Sequence, residues 1–521
     1  MKLEWKTKLE SEPYSLYNLV PPIVASGIST TKGSRTVVYT VGVTGTVFAV
    51  DAETGELLWS RKIATRVTPV NGGFQGGMLC PNGPTGSPVA DKSTNTLYVI
   101  GQNGQLYGLD LGSGDVRYGP VQFVAPFSKN GSLNLVQGTV YTTLAQGCGE
   151  GTSGFYAIDV RDRRNPVIRQ GLTSGGTPGG PWGRGGAVIG TNGRAYGGTA
   201  DGDFDPQNGV YSNAVVAVST ETLHVIDYHL PVNWRYIRGR DLDLGSTSPV
   251  VFGWKNRYLV AHGSKESVIY LMDAADLGGA DHQTALYATP RLGNDEQACC
   301  TGLGIWGALT MTRDAEGSTY VLAPMGGPPA KAGIKFPLTN GAVTHGSVMA
   351  LKVVADAKTG DPMLEPQWIS RDLDMPDAIV SANGVIFALS SGSNESQRGG
   401  DQLRMSTNHP ATLHALDLKT GRELWNSCSA IESWMHFSGL AVSNGAVFVG
   451  DHAGNLYRFG GIQAAARGRG AAAPTPAPPG AGAAPAPGRG PLAVAGRGAA
   501  AGRGAAAPEP TAPTWAGCGG R

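Results

Sequence analysis

Ala49-Val-Asp-Ala-Glu-Thr-Gly-Glu-Leu-Leu-Trp59 returns almost letter for letter as Ala415-Leu-Asp-Leu-Lys-Thr-Gly-Arg-Glu-Leu-Trp425. The Asp-to-Trp spacing is the same in both, and Asp110 to Tyr118 repeats it with another aromatic. Such self-similarity means that the chain is assembled from copies of one supersecondary unit. In each copy an apolar alternating run ends in Asp, a Thr-Gly or Ser-Gly turn follows, and a short run closes on an aromatic residue. Period-two alternation broken by Asp/Gly turns is a strand-turn-strand pattern that leaves no room for a helix. The pattern predicts an all-β, eight-bladed β-propeller of four-stranded antiparallel blades.

Repeat cores fall near residues 38–63, 87–123, 131–172, 183–231, 245–290, 304–373, 377–432 and 437–462. Seven blades would follow instead if 183–231 were irregular. The last unit stops after Gly454-Asn-Leu-Tyr-Arg-Phe459, where the others add one more strand. A strand with the missing character stands at the other end of the chain, Leu3-Glu-Trp-Lys-Thr-Lys-Leu9. Pairing the two would close the ring and remove an open sheet edge. The expected division is a propeller over 1–463 and a low-complexity Ala/Gly/Pro/Arg tail over 464–521, with too little apolar content to order itself.

The formal charge is +1, only 16% of residues are charged, and glycine accounts for 78 of 521. This balance gives no electrostatic footprint for nucleic acid or an anionic membrane. No window approaches the ~20 apolar residues that span a bilayer. No basic stretch followed by an apolar run stands at Met1, so no signal peptide is read. Among the six cysteines, Cys299 and Cys300 are adjacent, which admits either an eight-membered-ring disulfide or two neighbouring thiols. Cys80, Cys148, Cys428 and Cys518 are scattered, and no haem-attachment or zinc pattern is present.

The repeat, with its Gly-x-(Leu/Val)-(Tyr/Phe)-(Ala/Gly)-(Leu/Val)-Asp-x-x-(Thr/Ser)-Gly core, resembles the repeats of pyrroloquinoline quinone (PQQ)-dependent alcohol dehydrogenases. The likeness covers roughly residues 3–462, and the wider PQQ-like family includes scaffolds without catalytic activity. What the resemblance implies is an alcohol oxidised by bound PQQ with the help of Ca²⁺ or a lanthanide ion. It also implies an external electron acceptor such as a cytochrome c, and a periplasmic or extracellular location. The substrate would be a small-molecule or polymeric alcohol.

Particular residues then take expected roles. Gly179-Gly-Pro-Trp-Gly183 followed by Gly197-Gly-Thr-Ala-Asp-Gly202 is similar to the family's Trp-Gly and Thr-Gly-Asn segments. Asp201 thus stands at a metal-ligand position, where Asp for Asn keeps an oxygen donor. Arg240-Asp-Leu-Asp-Leu-Gly-Ser246 followed by Val260-Ala-His-Gly-Ser-Lys265 resembles the segment that carries the base and the quinone-binding cation. Asp241 becomes the catalytic base and a metal-site member, Asp243 the extra acidic ligand of lanthanide users, and Lys265 the cation on the quinone oxygens. Glu150 is the nearest candidate for the third metal ligand, about two residues from the expected place. Trp182, Trp306 and Trp434 are candidates to line the cofactor site, as are Cys299 and Cys300. The cysteine pair lies between the fifth and sixth blades rather than early in the chain, and the expected stacking Trp near 213–214 is replaced by small residues. The competing expectation is a cofactor-free propeller that holds a protein or polysaccharide.

Overall fold

The computed structural model describes residues 1–14, 16–63, 79–80, 83–149, 151–175, 179–394, 396 and 400–461. The tail from 464 onward, including Cys518, lies outside the described residues, and so does Glu150.

Eight antiparallel sheets follow one another along the chain, at residues 23–62, 89–122, 134–172, 188–229, 250–288, 310–369, 376–426 and 440–460. The eighth has only three strands of its own. Its fourth is the N-terminal Lys2–Lys8, antiparallel to Asn455–Gly460 with Leu3 opposite Phe459 and Thr7 opposite Leu456. The first blade begins at Ile23, earlier than the repeat alone suggested, because Ile23–Thr30 carries no Asp-Thr-Gly turn to mark it. From the second blade round to the first, the first strands of successive blades touch one another. These strands therefore line the axis, and the last strand of each blade forms the rim.

The core is distributed between blades. Eight buried apolar clusters each draw on two adjacent blades, including one between the eighth and the first. A strand buried on both faces need not alternate, and Thr319–Gly326 is buried at every position.

The Asp-x-x-(Thr/Ser)-Gly turn is where one blade docks on the next. Asp51, Asp110 and Asp417 each accept two backbone N–H bonds through Oδ1, which fixes the turn. An indole from the preceding blade donates to the carbonyl after that Asp: Trp5 to Ala52 at 3.1 Å, Trp59 to Leu111 at 3.1 Å and Trp368 to Leu418 at 2.8 Å. The repeat is conspicuous because these residues face one another across every such seam, not because they bind anything.

Strand polarity then decides where function can sit. In a four-stranded up-and-down blade, the connection between second and third strands emerges at the same end as the connection to the next blade. The docking turns occupy the opposite end. Residues 199–214, 230–246, 264–268 and 290–306 are all of the first kind. Two short helices, Trp234–Gly239 and Gly400–Ser406, lie in these connections. Among the described residues no helix is long and apolar enough to cross a membrane.

Candidate metal and cofactor site

At that end of the ring, three connections bring four charged side chains together. Asp201 comes from the loop inside the fourth blade, Asp241 and Asp243 from the passage to the fifth, and Lys265 from the loop inside the fifth. Carboxylate oxygens of Asp201, Asp241 and Asp243 lie within 4.8 Å of one another. The Lys265 ammonium donates to Asp241 Oδ1 at 2.9 Å, to the Asp241 carbonyl at 3.1 Å and to Asp243 Oδ2 at 2.8 Å. Asp241 stands two residues after the helix Trp234–Gly239 and takes a left-handed φ of 52°, which turns its carbonyl and its carboxylate to the same ammonium. Asn294 anchors the lysine from behind, donating to the Lys265 carbonyl at 2.7 Å.

Aromatic rings enclose this group. The Trp182 indole donates to Asp243 Oδ1 at 3.0 Å, and Trp182 and Trp306 meet edge to face at 5.7 Å. Lys265 Nζ stands 5.5 Å from the Trp182 ring centre and 5.2 Å from that of Trp306, within cation–π range. Cys299 and Cys300 form a disulfide, and Cys300 Sγ lies 3.4 Å from Asp241 Oδ2. An oxidised sulfur has no hydrogen to give and is no thiolate ligand, so this contact is packing and the sulfurs do not extend the donor set.

The electrostatics are lopsided: three carboxylates face one ammonium. Burial, then the charges of Asp243 and Asp241, push the Asp201 carboxyl up to about 7. Burial raises Asp243 to about 6 although Lys265 pulls it down. Lys265 loses to burial but gains more from Asp243 and Asp241, so its ammonium is held above the usual lysine range. Asp201 Oδ1 is buried and without a hydrogen-bond partner, as are Asn213 Oδ1 and Ser212 Oγ at the other end of the same loop. An all-oxygen donor set with unspent acceptors and surplus negative charge suits a hard di- or trivalent cation. The residues present therefore fit such an ion.

Trp434 is not part of this group. It stacks on His452 at 3.9 Å and packs with Leu16, Tyr17 and Val43. Lys129 and Arg184 were absent from the sequence-based candidates. Lys129 is buried, 6.0 Å from the Tyr17 ring and 5.8 Å from Trp182, and Arg184 lies 4.9 Å from the rings of both Tyr17 and Phe437. Burial lowers the Lys129 ammonium to about 8. The available signal was Arg184 standing two residues after Trp182.

Residues 2–147 match the PQQ_2 family model, described as outer membrane protein assembly factor BamB. That match covers the N-terminal part of the chain, whose fold is an eight-bladed propeller. Among solved structures, the propeller is similar to a europium-containing methanol dehydrogenase, at 14% identity and a TM-score of 0.52 over 86% of this chain and 84% of that one. A quinohemoprotein alcohol dehydrogenase from Comamonas testosteroni gives 13% identity and 0.51 over 89% and 77%. The computationally designed Ika8 protein gives 11% and 0.51 over 87% and 98%. No curated protein sequence matches. At such identities these likenesses speak for the fold alone.

Proposed function

We propose that this propeller is an oxidoreductase that oxidises an alcohol, with PQQ as cofactor and Ca²⁺ or a lanthanide ion at Asp201, Asp241 and Asp243. The observation that carries the reading is the meeting of three carboxylates with one ammonium at a single end of the ring. Held at Asp201, Asp241 and Asp243, the cation would supply Lewis acidity beside the quinone, and PQQ would supply the hydride acceptor. Asp241 takes the hydroxyl proton on Oδ2, the oxygen that Lys265 leaves unbonded. Lys265 holds Asp241 in place and supplies positive charge at the cofactor oxygens. Trp182, Trp306 and the Cys299–Cys300 disulfide pack around the group, and the burial of Lys265 and Asp243 strengthens the interaction between those two, while the Asp241 carboxylate stays open to solvent. Electrons leave to an external carrier of the cytochrome c type. A periplasmic location agrees with the BamB description and with the buried Cys80–Cys148 disulfide, which suits an oxidising compartment.

The test is retention of PQQ absorbance after desalting, with and without Ca²⁺ or La³⁺. Retention is expected only with the cation, because the cofactor's carboxylates and the three aspartates repel one another without it. Asp241→Ala should then lose at least a hundredfold in alcohol oxidation, a larger loss than its weakened retention of cation and cofactor accounts for. A second reading, a cofactor-free scaffold, draws on Lys265 already pairing with two of the three carboxylates. PQQ absorbance lost under every condition would favour it.

A further inference from the structure

The last strand of the ring ends at Gly460, yet one cysteine on its surface has a partner that the ring does not supply. Cys428 carries a disulfide, and no cysteine is free among the described residues. Its partner is none of the other described cysteines, because Cys80 pairs with Cys148 and Cys299 with Cys300. Of the six cysteines in the chain, that leaves Cys518. We propose that Cys428 and Cys518 form a third disulfide, closed within one chain. It ties the Ala/Gly/Pro/Arg segment back onto the rim between the seventh and eighth blades and braces the eighth.

Cys428 is placed to meet such a partner. It stands two residues after Glu423–Asn426, the last strand of the seventh blade, where the passage to the eighth begins. The residue is exposed, and the turn that presents it is fixed on both sides. Its φ of 51° is left-handed, its N–H donates to Asn426 Oδ1 at 2.9 Å, and the Ala430 N–H donates to the Ser427 carbonyl at 3.1 Å. Cys80 and Cys148 are each only 1% exposed, so an incoming thiol does not reach them without opening the fold. The pairing is therefore not reshuffled by exchange with that bridge.

The bond has to cross the height of the ring. Asn455–Gly460 runs from the candidate-site end toward the end with the docking turns, whereas Cys428 lies at the candidate-site end. A six-residue strand rises about 20 Å. The stretch 462–517 can extend on the order of 150 Å, so reach is no obstacle. Two thiols on one chain meet at an effective concentration of ~1 mM, far above that of a micromolar protein, so the bond within a chain forms ahead of one between copies. Its formation releases two protons and passes two electrons to the disulfide of an exchange partner, which leaves as a dithiol. The loop so closed, 428–518, contains all three strands that the eighth blade makes for itself. The bridge thus holds that blade independently of Lys2–Lys8.

Peptide mapping of the full chain, alkylated with N-ethylmaleimide before any reduction, reads the bond without reference to cofactor or cation. Trypsin should yield fragments 423–458 and 504–521 joined as one species that reduction separates. Brief nicking at Arg489, Arg497 or Arg503 should leave the C-terminal fragment attached until reductant is added. Cys428→Ser and Cys518→Ser should each lower the melting temperature by about 3–5 °C in non-reducing buffer, and the double variant should fall no further. Alkylation of Cys428 before reduction, its linkage to any other cysteine, or a disulfide-bonded dimer in place of the joined fragments would overturn the proposal. Melting unchanged in both single variants would overturn the bracing of the eighth blade.

Discussion

Gly421 shows how a single residue carries the repeat. Its φ of 68° lies in the left-handed region, and a β-carbon there would fall inside contact distance of the fully buried Trp368 ring from the preceding blade. Gly421→Ala adds backbone strain to overpacking, so it should cost about 2–4 kcal/mol, read as a lower urea midpoint with an unchanged slope. Glu423, two residues on, controls the acid limb of stability. Burial would raise its carboxyl, but His414 at 2.6 Å, Asn426 and Arg371 outweigh burial and bring it from 4.5 to about 2. A depressed acid stabilises the fold fully above its unfolded pKa and ceases to as pH falls through the folded one. Unfolding free energy should therefore drop on the order of 2 kcal/mol between pH 4.5 and 2, and Glu423→Gln should flatten that slope in a pH series of melts. At this scale much of the candidate site was legible: Asp201, Asp241, Asp243 and Lys265 were singled out from short motifs and do meet in space. Trp434 was not, since a tryptophan near the axis and one in the site look alike in sequence. Lys129 and Arg184 escaped because isolated basic residues between strands read as solvated turns until burial is known.

Elements were legible in proportion to their turn chemistry. Blades with an Asp-x-x-(Thr/Ser)-Gly turn announced themselves, whereas Ile23–Thr30, without one, did not. The helices Trp234–Gly239 and Gly400–Ser406 are too short to develop a 3.6-residue period. No local signal could pair Cys80 with Cys148, because they stand 68 residues apart and meet only through the fold. Their disulfide ties the passage between the first and second blades to the loop inside the third, reaching past the second. By the chain-entropy account, closing a loop of that length contributes about 4 kcal/mol. Cys148→Ser should lower the melting temperature by several degrees in non-reducing buffer, as followed by calorimetry. Added reductant should lower the melting temperature of the unaltered protein by more than that of the variant, which has already lost the long bridge. An equal response of both proteins to reductant would show that the long bridge is not what holds these loops.

For the whole molecule, the decisive contact is the one that turns eight sheets into a ring. A propeller left open has an unpaired strand at one blade and an uncovered apolar face at the next, and both favour association between chains. Three interactions converge on the closure here. Lys2–Lys8 pairs with Asn455–Gly460. Trp5 packs on the docking turn of the first blade and donates to Ala52, while Leu9 is buried between the eighth and first blades. Arg458 is buried and joins three parts at once: it pairs with Glu4 of the N-terminal strand at 2.9 Å and with Glu53 of the first blade at 2.6 Å, and donates to the Ala52 carbonyl at 2.8 Å. Removing Glu4 and Trp5 together with their strand would leave a buried guanidinium with fewer partners and bare the edge Asn455–Gly460. Deleting residues 1–9 should therefore abolish the monomer in light scattering, even though the candidate site at 201–265 is untouched. Trp5→Ala keeps the strand and should cost only about 3 kcal/mol. Because the missing piece is a strand, a synthetic peptide of residues 1–10 should restore monomeric, cooperatively melting protein by adding back along the open edge. A shortened chain that stays monomeric with unchanged melting would mean that the seven sheet-to-sheet seams hold the ring without this strand.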